Sequence, residues 1–410
     1  MASNNERKVS NNIISLYLIC SLSFIILFFI VSLFNHEIFK WLVMEHNFKC
    51  TFSDYFRQLI YSKDLKNIYF NTTDAPFPPL AYCIFHIIDK ISPINGIVTK
   101  GTFRIIAINK LSFTIFFGIN IFFIIALYVI ITKILNKEKW YTNLLLLTSL
   151  LLSAPFLAGA LERGNPIFAV LIFLLYAIYY RNSNSKILKE LSLILLALAS
   201  AFKIYPAIYS ILYLKEKRYK EFFRFCIYFL VLFFVPYIFT GGVKGVINHF
   251  SIIAGFQQQQ IGVFRWTSIR CFFFSILYFF GIKNIISYNI IGIILDTIFL
   301  VLMINLFYKP GKDWKKLLYL SGICTCYVNN NFRYTAIYMV IPLLFMFKDI
   351  LKNNKINKFT YIYTILFALI FTIPIYGINL EVDFLIFITI YILLAVSVIE
   401  DKFLLKEKKS

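Results

Sequence analysis

The chain has 410 residues, 60% of them hydrophobic and 15% charged, with a net charge of +21. Soluble domains carry roughly 45–50% apolar and about 25% charged residues, so both departures point to lipid as the solvent and leave no room for an ordinary soluble domain. The positive charge does not mark a nucleic-acid binder, because the basic residues sit in short clusters between apolar runs, where they set membrane orientation.

Arg7 and Lys8 precede an apolar run from Ile13 to Phe34. That run exceeds the roughly 7–15 residues of a signal-peptide core and no small-x-small cleavage site follows it, so it reads as a retained first span. A long connection, 35–110, comes next. It contains Asp54 in the stretch Thr51-Phe-Ser-Asp-Tyr-Phe-Arg-Gln. Two readings of Asp54 stand: a general base that takes a proton from an acceptor hydroxyl, or a solvated loop acid. Asp74 lies just ahead of Pro76-Phe77-Pro78-Pro79. Each X-Pro step forces extended geometry on its predecessor, so this stretch is a rigid elbow leading into the apolar segment 79–91. Asp74 is then either a carboxylate fixed by that stiff backbone or a plain helix-approach acid. Cys50 and Cys83 share the connection, as a disulfide or as two thiols.

Spans are expected at 111–132, 141–160, 166–180, 187–202, 204–214 and 222–239. Glu162-Arg163-Gly164-Asn165-Pro166 forms a tight turn between two of them. Glu162 and Arg163 either pair with each other or present a charge to an anionic substrate. Lys203, in Ala201-Phe202-Lys203-Ile204-Tyr205-Pro206, is embedded in apolar sequence. Such a residue faces a cavity or a partner, or else snorkels to the interface. Pro206 makes 204–214 a candidate half-helix. A second long connection, 240–284, holds His249, Gln257 to Gln260, Arg265 and Arg270, and its glutamine run reads as plain loop. Beyond it lie spans at 285–307, 317–330, 332–347, 359–378 and 382–398. Asp296 falls mid-span and is expected to pair inside the bundle. A polar break at Asn329–Tyr334 carries Arg333, a further candidate for a phosphate.

With the N-terminus inside, 25 of the 41 Lys and Arg residues fall in the inner segments, and nine of the rest lie in the long connection 35–110, which counts little. Both termini are therefore expected in the cytoplasm. The two long connections face outward, and the apolar segments 79–91 and 266–281 lie flat on the outer membrane face. The expected architecture is one all-α polytopic membrane domain over 1–410, with about 10–13 transmembrane helices and juxtamembrane helices outside.

Arg163, Lys203, Arg265 and Arg333 all map to the outer side in this topology, with one or two carboxylates on the same side. Cations stabilise a phosphate leaving group and a carboxylate activates a hydroxyl. There is no Gly-rich phosphate loop and no soluble nucleotide fold, so a phosphate-linked donor would arrive in the membrane. Cys324 and Cys326 do not make a zinc site, and neither a metal nor a cofactor is expected.

The order of these features resembles glycosyltransferase family 87 of the GT-C class, over about residues 10–350. That order is an Asp-Tyr after the first span, a Pro-Phe-Pro-Pro-Leu elbow, an outer Arg-Gly-Asn turn and a Lys-Ile-Tyr-Pro break. The family includes polyprenyl-phosphate-mannose-dependent α-1,2-mannosyltransferases of actinobacterial envelopes. The resemblance implies that Asp54 is the catalytic base. It aligns Phe77-Pro78-Pro79-Leu80 with a Tyr-Pro-Pro-Leu elbow, Gly164-Asn165 with a Gly-Gln-x-Asn turn, and Lys203 and Pro206 with a Lys-x-x-Pro step. Asp74, Glu162, Arg163, Asn165, Lys203, Tyr205, Arg265 and Arg333 are the expected substrate-binding set. The family's Ser-Trp-x-His-His run is replaced here by Asn331-Phe332-Arg333-Tyr334, which leaves sugar and acceptor open.

The expected activity is metal-free transfer of a hexose from a polyprenyl-phosphate carrier to an envelope glycan or glycolipid on the outer face of the cell membrane. A lipid-linked saccharide flippase or a polysaccharide polymerase is the alternative; the two halves show no internal repeat of the transporter kind. Asp54→Asn is expected to abolish transfer without loss of stability.

Overall fold

The computed structural model describes residues 4–35, 37–38, 51–72, 75–99, 102–107, 109–136, 138–258, 268–282, 288–327, 332–353, 356–373 and 382–407. In chain order the helices are α1 (Asn4–Phe34), α2 (Ser53–Ser62), α3 (Ile68–Asn71), α4 (Pro79–Ile91), α5 (Lys110–Ile134), α6 (Trp140–Leu151), α7 (Ile167–Tyr180), α8 (Lys186–Phe202) and α9 (Ile211–Lys215). They continue as α10 (Tyr219–Phe234), α11 (Gly242–Gln258), α12 (Ile269–Phe279), α13 (Tyr288–Tyr308), α14 (Asp313–Cys326), α15 (Val340–Asn353), α16 (Lys358–Ile370) and α17 (Val382–Glu407). The protein is an all-α membrane protein. Among the described residues one feature departs from that, an antiparallel hairpin of β1 (Asn95–Thr99) and β2 (Thr102–Ala107) after α4.

Among the described residues five helical stretches are long and apolar enough to cross a bilayer: Asn12–Phe34, Lys110–Ile134, Tyr219–Phe239, Ile290–Tyr308 and Arg333–Asn353. Four apolar helices of 10–17 residues accompany them. Many exposed large side chains belong to these stretches, among them Phe122 and Ile125 on α5, Ile227 on α10 and Ile298 on α13. Exposed apolar surface on that scale suits a lipid surround.

Several passes change winding where proline removes a backbone donor. Tyr205–Ser210, with Pro206, and Val235–Phe239, with Pro236, are 3₁₀ segments. The first continues into α9, so a proline-broken helical stretch stands where a half-helix was expected at 204–214.

The chain divides into two compact units. The first comprises Met1–Phe48, Tyr128–Gly159 and Gln260–Ser410. Its centre is α14, buried along nearly its whole length and packed against α13, α15 and α17, while α1 packs on α6, α15 and α16. Asp296 on α13 does pair inside this unit, 2.5 Å from an Arg270 guanidinium nitrogen. The second unit comprises Lys49–Leu127 and Ala160–Gln259. There α8 packs between α7 and α10, α4 packs on α2 and α8, and α11 packs on α3. Cys50 lies outside the described residues, and the Cys50–Cys83 pairing with it.

Candidate active site

Three of the expected residues meet in the second unit. Asp54 occupies the first turn of α2, where the helix's positive end favours a carboxylate. The helix starts from Phe52, whose backbone is left-handed at φ 59° and whose N–H donates to the Glu162 carbonyl at 2.6 Å. The Phe52 ring is anchored among Phe56, Phe113, Phe116 and Phe117. A non-glycine residue in that conformation persists only where its surroundings hold it.

The second element is the turn at Glu162–Asn165. A π-helical stretch, Phe156–Leu161, leads into it. Asn165 N–H donates to the Ala160 carbonyl at 3.0 Å and Gly164 N–H to the Leu161 carbonyl at 3.1 Å. This pair of bonds is a Schellman C-cap, which wants a left-handed glycine at the position Gly164 occupies, with φ 66°. A Cβ there would also stand 2.8 Å from Phe116 and Tyr55. The cap therefore sets Arg163 and Asn165 at a fixed orientation.

Both then reach Asp54. Arg163 donates to Oδ1 at 2.7 Å and Asn165 Nδ2 to Oδ2 at 2.8 Å. Asn165 Oδ1 accepts from Ile167 N–H at 3.1 Å, which fixes the amide's orientation and opens α7. Arg57, one turn along α2, adds a third donor at 3.2 Å. Asp54, Arg163 and Asn165 are all buried. Burial alone would raise the Asp54 pKa, but the Arg163 and Arg57 charges, with the Arg163 and Asn165 hydrogen bonds, hold it below the ordinary carboxylate value. At rest Asp54 is thus a firmly ionised and weakly basic group.

Lys203 is buried in the turn after α8. Its ammonium lies 5.5 Å from the centre of the Phe77 ring and 5.7 Å from that of Tyr205, so the elbow and the Lys-Ile-Tyr-Pro break form one aromatic seat for the cation. Burial pulls the lysine down to about 7, opposed by the charge of Asp54. A cavity of about 440 Å³ runs alongside, lined by Tyr55, Phe85, Phe116, Asn120, Asn165 and Phe202 among others. Phe122 also lines it and is 64% exposed, so the cavity reaches the apolar outer face of α5.

A carboxylate and cations therefore lie beside a mostly apolar cleft, whose wall includes their neighbours Tyr55, Asn165 and Phe202. A family model for glycosyltransferase family 87 matches residues 102–307, half of the chain. The chain belongs to glycosyltransferase family 87. No curated protein and no solved structure matches it. The family 87 match includes Arg163, Asn165, Lys203 and Tyr205, while Asp54 precedes it. Membership makes the protein a membrane glycosyltransferase and sets the transporter reading aside.

The other expected residues are placed differently. Asp74 and Arg265 lie outside the described residues. Glu162 contributes its backbone carbonyl to Phe52. Arg333 belongs to the first unit, where it starts a 3₁₀ segment and is 2% exposed. Arg57 and Phe77 were not among the expected site residues. Arg57 was legible as an i, i+3 partner of Asp54 on a helix, whereas nothing local ties Phe77 to Lys203.

Proposed function

We propose that the protein transfers a hexose from a polyprenyl-phosphate carrier to an envelope glycan or glycolipid, with its site on the outer face of the cell membrane. The observation that carries this is the Asp54–Arg163–Asn165 cluster at the side of an apolar cavity that reaches the lipid-facing surface. The cavity suits the carrier's chain, and Lys203 and Arg163 suit its phosphate. Asp54 takes the proton of the acceptor hydroxyl. The acceptor oxygen then attacks the anomeric carbon, and the bond from that carbon to the phosphate oxygen breaks. Polyprenyl phosphate leaves, its charge met by the cations. Asp54 is a poor base while Arg163 holds it. A donor phosphate that draws Arg163 away raises its basicity, so donor binding primes the acid–base step. The reaction inverts the anomeric centre and uses no metal.

The test is the purified full-length chain in detergent, given labelled polyprenyl-phosphate hexose and candidate acceptors, with and without EDTA. Single-sugar transfer that EDTA leaves unchanged supports the reading. Long chains built from a pyrophosphate-linked oligosaccharide would indicate a polymerase instead. No transfer from any polyprenyl-phosphate sugar would defeat it. Orientation is read separately: cysteines at Lys66 and Lys352, both exposed, should label from opposite sides of intact cells. Labelling from one side would refute the outer-face site.

A further inference from the structure

The Pro76–Pro79 elbow has an unusual anchoring problem. Three of its four residues are proline and have no N–H, so hydrogen bonds can hold it mainly through its carbonyls. Two successive carbonyls are in fact taken. The Tyr69 hydroxyl donates to the Phe77 carbonyl at 2.8 Å. His249, from α11 in the second long connection, places Nε2 3.2 Å from the Pro76 carbonyl. A carbonyl only accepts, so Nε2 carries the proton and Nδ1 accepts from the Tyr237 hydroxyl. The imidazole is fully buried and stacks on the Tyr69 ring at 4.5 Å and 24°. The chain enters α11 through Gly241, at φ 93°, where a Cβ would stand 2.6 Å from Phe70 on α3.

The elbow held in this way carries Phe77, whose ring lies beneath the Lys203 ammonium. We propose that His249 is a positioning residue for the donor site: fixed by Tyr237 and Tyr69, it holds the Pro76 carbonyl and so sets the Phe77 ring that seats Lys203 against the donor phosphate. The inference rests on the polyprenyl-phosphate reading above. Burial keeps the imidazole neutral, its pKa pulled down to about 4 against the Pro76 carbonyl. A neutral ring is the form that can accept from Tyr237 while donating to Pro76.

The test is binding of undecaprenyl phosphate to the purified full-length chain in detergent, titrated by intrinsic fluorescence and followed by thermal shift. His249→Phe keeps the stack on Tyr69 and loses both hydrogen bonds; His249→Gln keeps an N–H for Pro76. The expected result is about tenfold weaker binding for His249→Phe and recovery to within about threefold of wild type for His249→Gln. In a Lys203→Ala background His249→Phe should add nothing, because the two act through one seat. A merely structural role would leave the two effects additive, and additivity overturns the proposal. So does equal affinity of His249→Phe and wild type. Should His249→Phe fail to fold, Tyr237→Phe takes its place: about threefold weaker binding, absent in the Lys203→Ala background, supports the relay, and unchanged binding defeats it. A wild-type chain that does not bind undecaprenyl phosphate refutes the donor reading, and this inference with it. A wild type that binds beside an indifferent His249→Phe refutes the role of His249 alone.

Discussion

Each unit buries a cation against carboxylate, and the two clusters are built differently. In the first unit Lys315 is 2.7 Å from Glu400 and 2.6 Å from Asp401. Tyr363 and Asn357 donate to Glu400 at 2.8 and 3.2 Å, and Tyr319 donates to Asp401 at 3.2 Å. That cluster ties α17 to α14 and α16 and closes on itself. In the second unit Asp54 is gripped as tightly by Arg163 and Asn165, but Asn165 and Tyr55 line a cavity of about 440 Å³ whose walls contain none of the Lys315 cluster. Lys203 stands in the same unit on aromatic rings. A buried ion pair is by itself weak evidence of function. What distinguishes the Asp54 cluster is the cavity at its side and a buried lysine whose pKa burial lowers to about 7.

The comparison is broken most directly at the carboxylates. Asp54→Asn should lower transfer by about 10²- to 10⁴-fold, the range for a lost general base, measured with labelled polyprenyl-phosphate hexose. It should also cost about 3–5 kcal/mol of stability, because Arg163 is left buried without its counter-charge. The ion pair thus revises the expectation that this substitution leaves stability intact. Glu400→Gln should lose a similar amount of stability by thermal denaturation, yet retain turnover per folded molecule. Loss of turnover in Glu400→Gln, beyond the unfolded fraction, would erase the distinction between the clusters.

Lys203→Ala should weaken polyprenyl-phosphate binding by about 2–5 kcal/mol, while the unliganded chain melts no lower than wild type. Equal melting losses with and without polyprenyl phosphate would assign Lys203 to the fold instead. Its proton supplies a smaller, graded test. With its pKa lowered to about 7, the unliganded lysine loses charge as pH rises through that value, so donor affinity should fall between about pH 6 and about pH 9. Lys203→Arg should flatten that profile. Asp54 acts at the other end of the scale. Its pKa is lowered on folding, so its contribution to stability is present above the unfolded carboxylate value and is lost as pH falls below about pH 5. The Asp54→Asn chain should show a shallower acid limb in pH-dependent melting.

Sequence made the membrane class legible because lipid imposes a compositional demand that 60% hydrophobic content meets everywhere. The proline-led break at Tyr205–Ser210 and the start of α4 at Pro79 followed from the missing N–H of proline. Arg163 was legible as a candidate, but its partner was not, since Asp54 is 109 residues away in the chain. Local pattern could offer only Glu162 or a substrate. The Schellman cap explains why glycine sits beside Arg163, yet its role in aiming Arg163 and Asn165 at Asp54 needs the tertiary contact. Sequence places His249 in the second long connection but assigns it no role, for the same reason: its partners Pro76 and Tyr69 come from the other long connection.

The central claim is that the buried Asp54–Arg163 pair does chemistry rather than hold the fold. It is tested most directly by the charge-neutral double substitution Asp54→Asn with Arg163→Gln, which removes both charges of the buried pair and leaves only the partly exposed Arg57 without its carboxylate. Transfer from labelled polyprenyl-phosphate hexose by the purified double variant should be absent while its melting temperature stays near that of wild type. Transfer at the wild-type rate from a folded double variant would contradict the account.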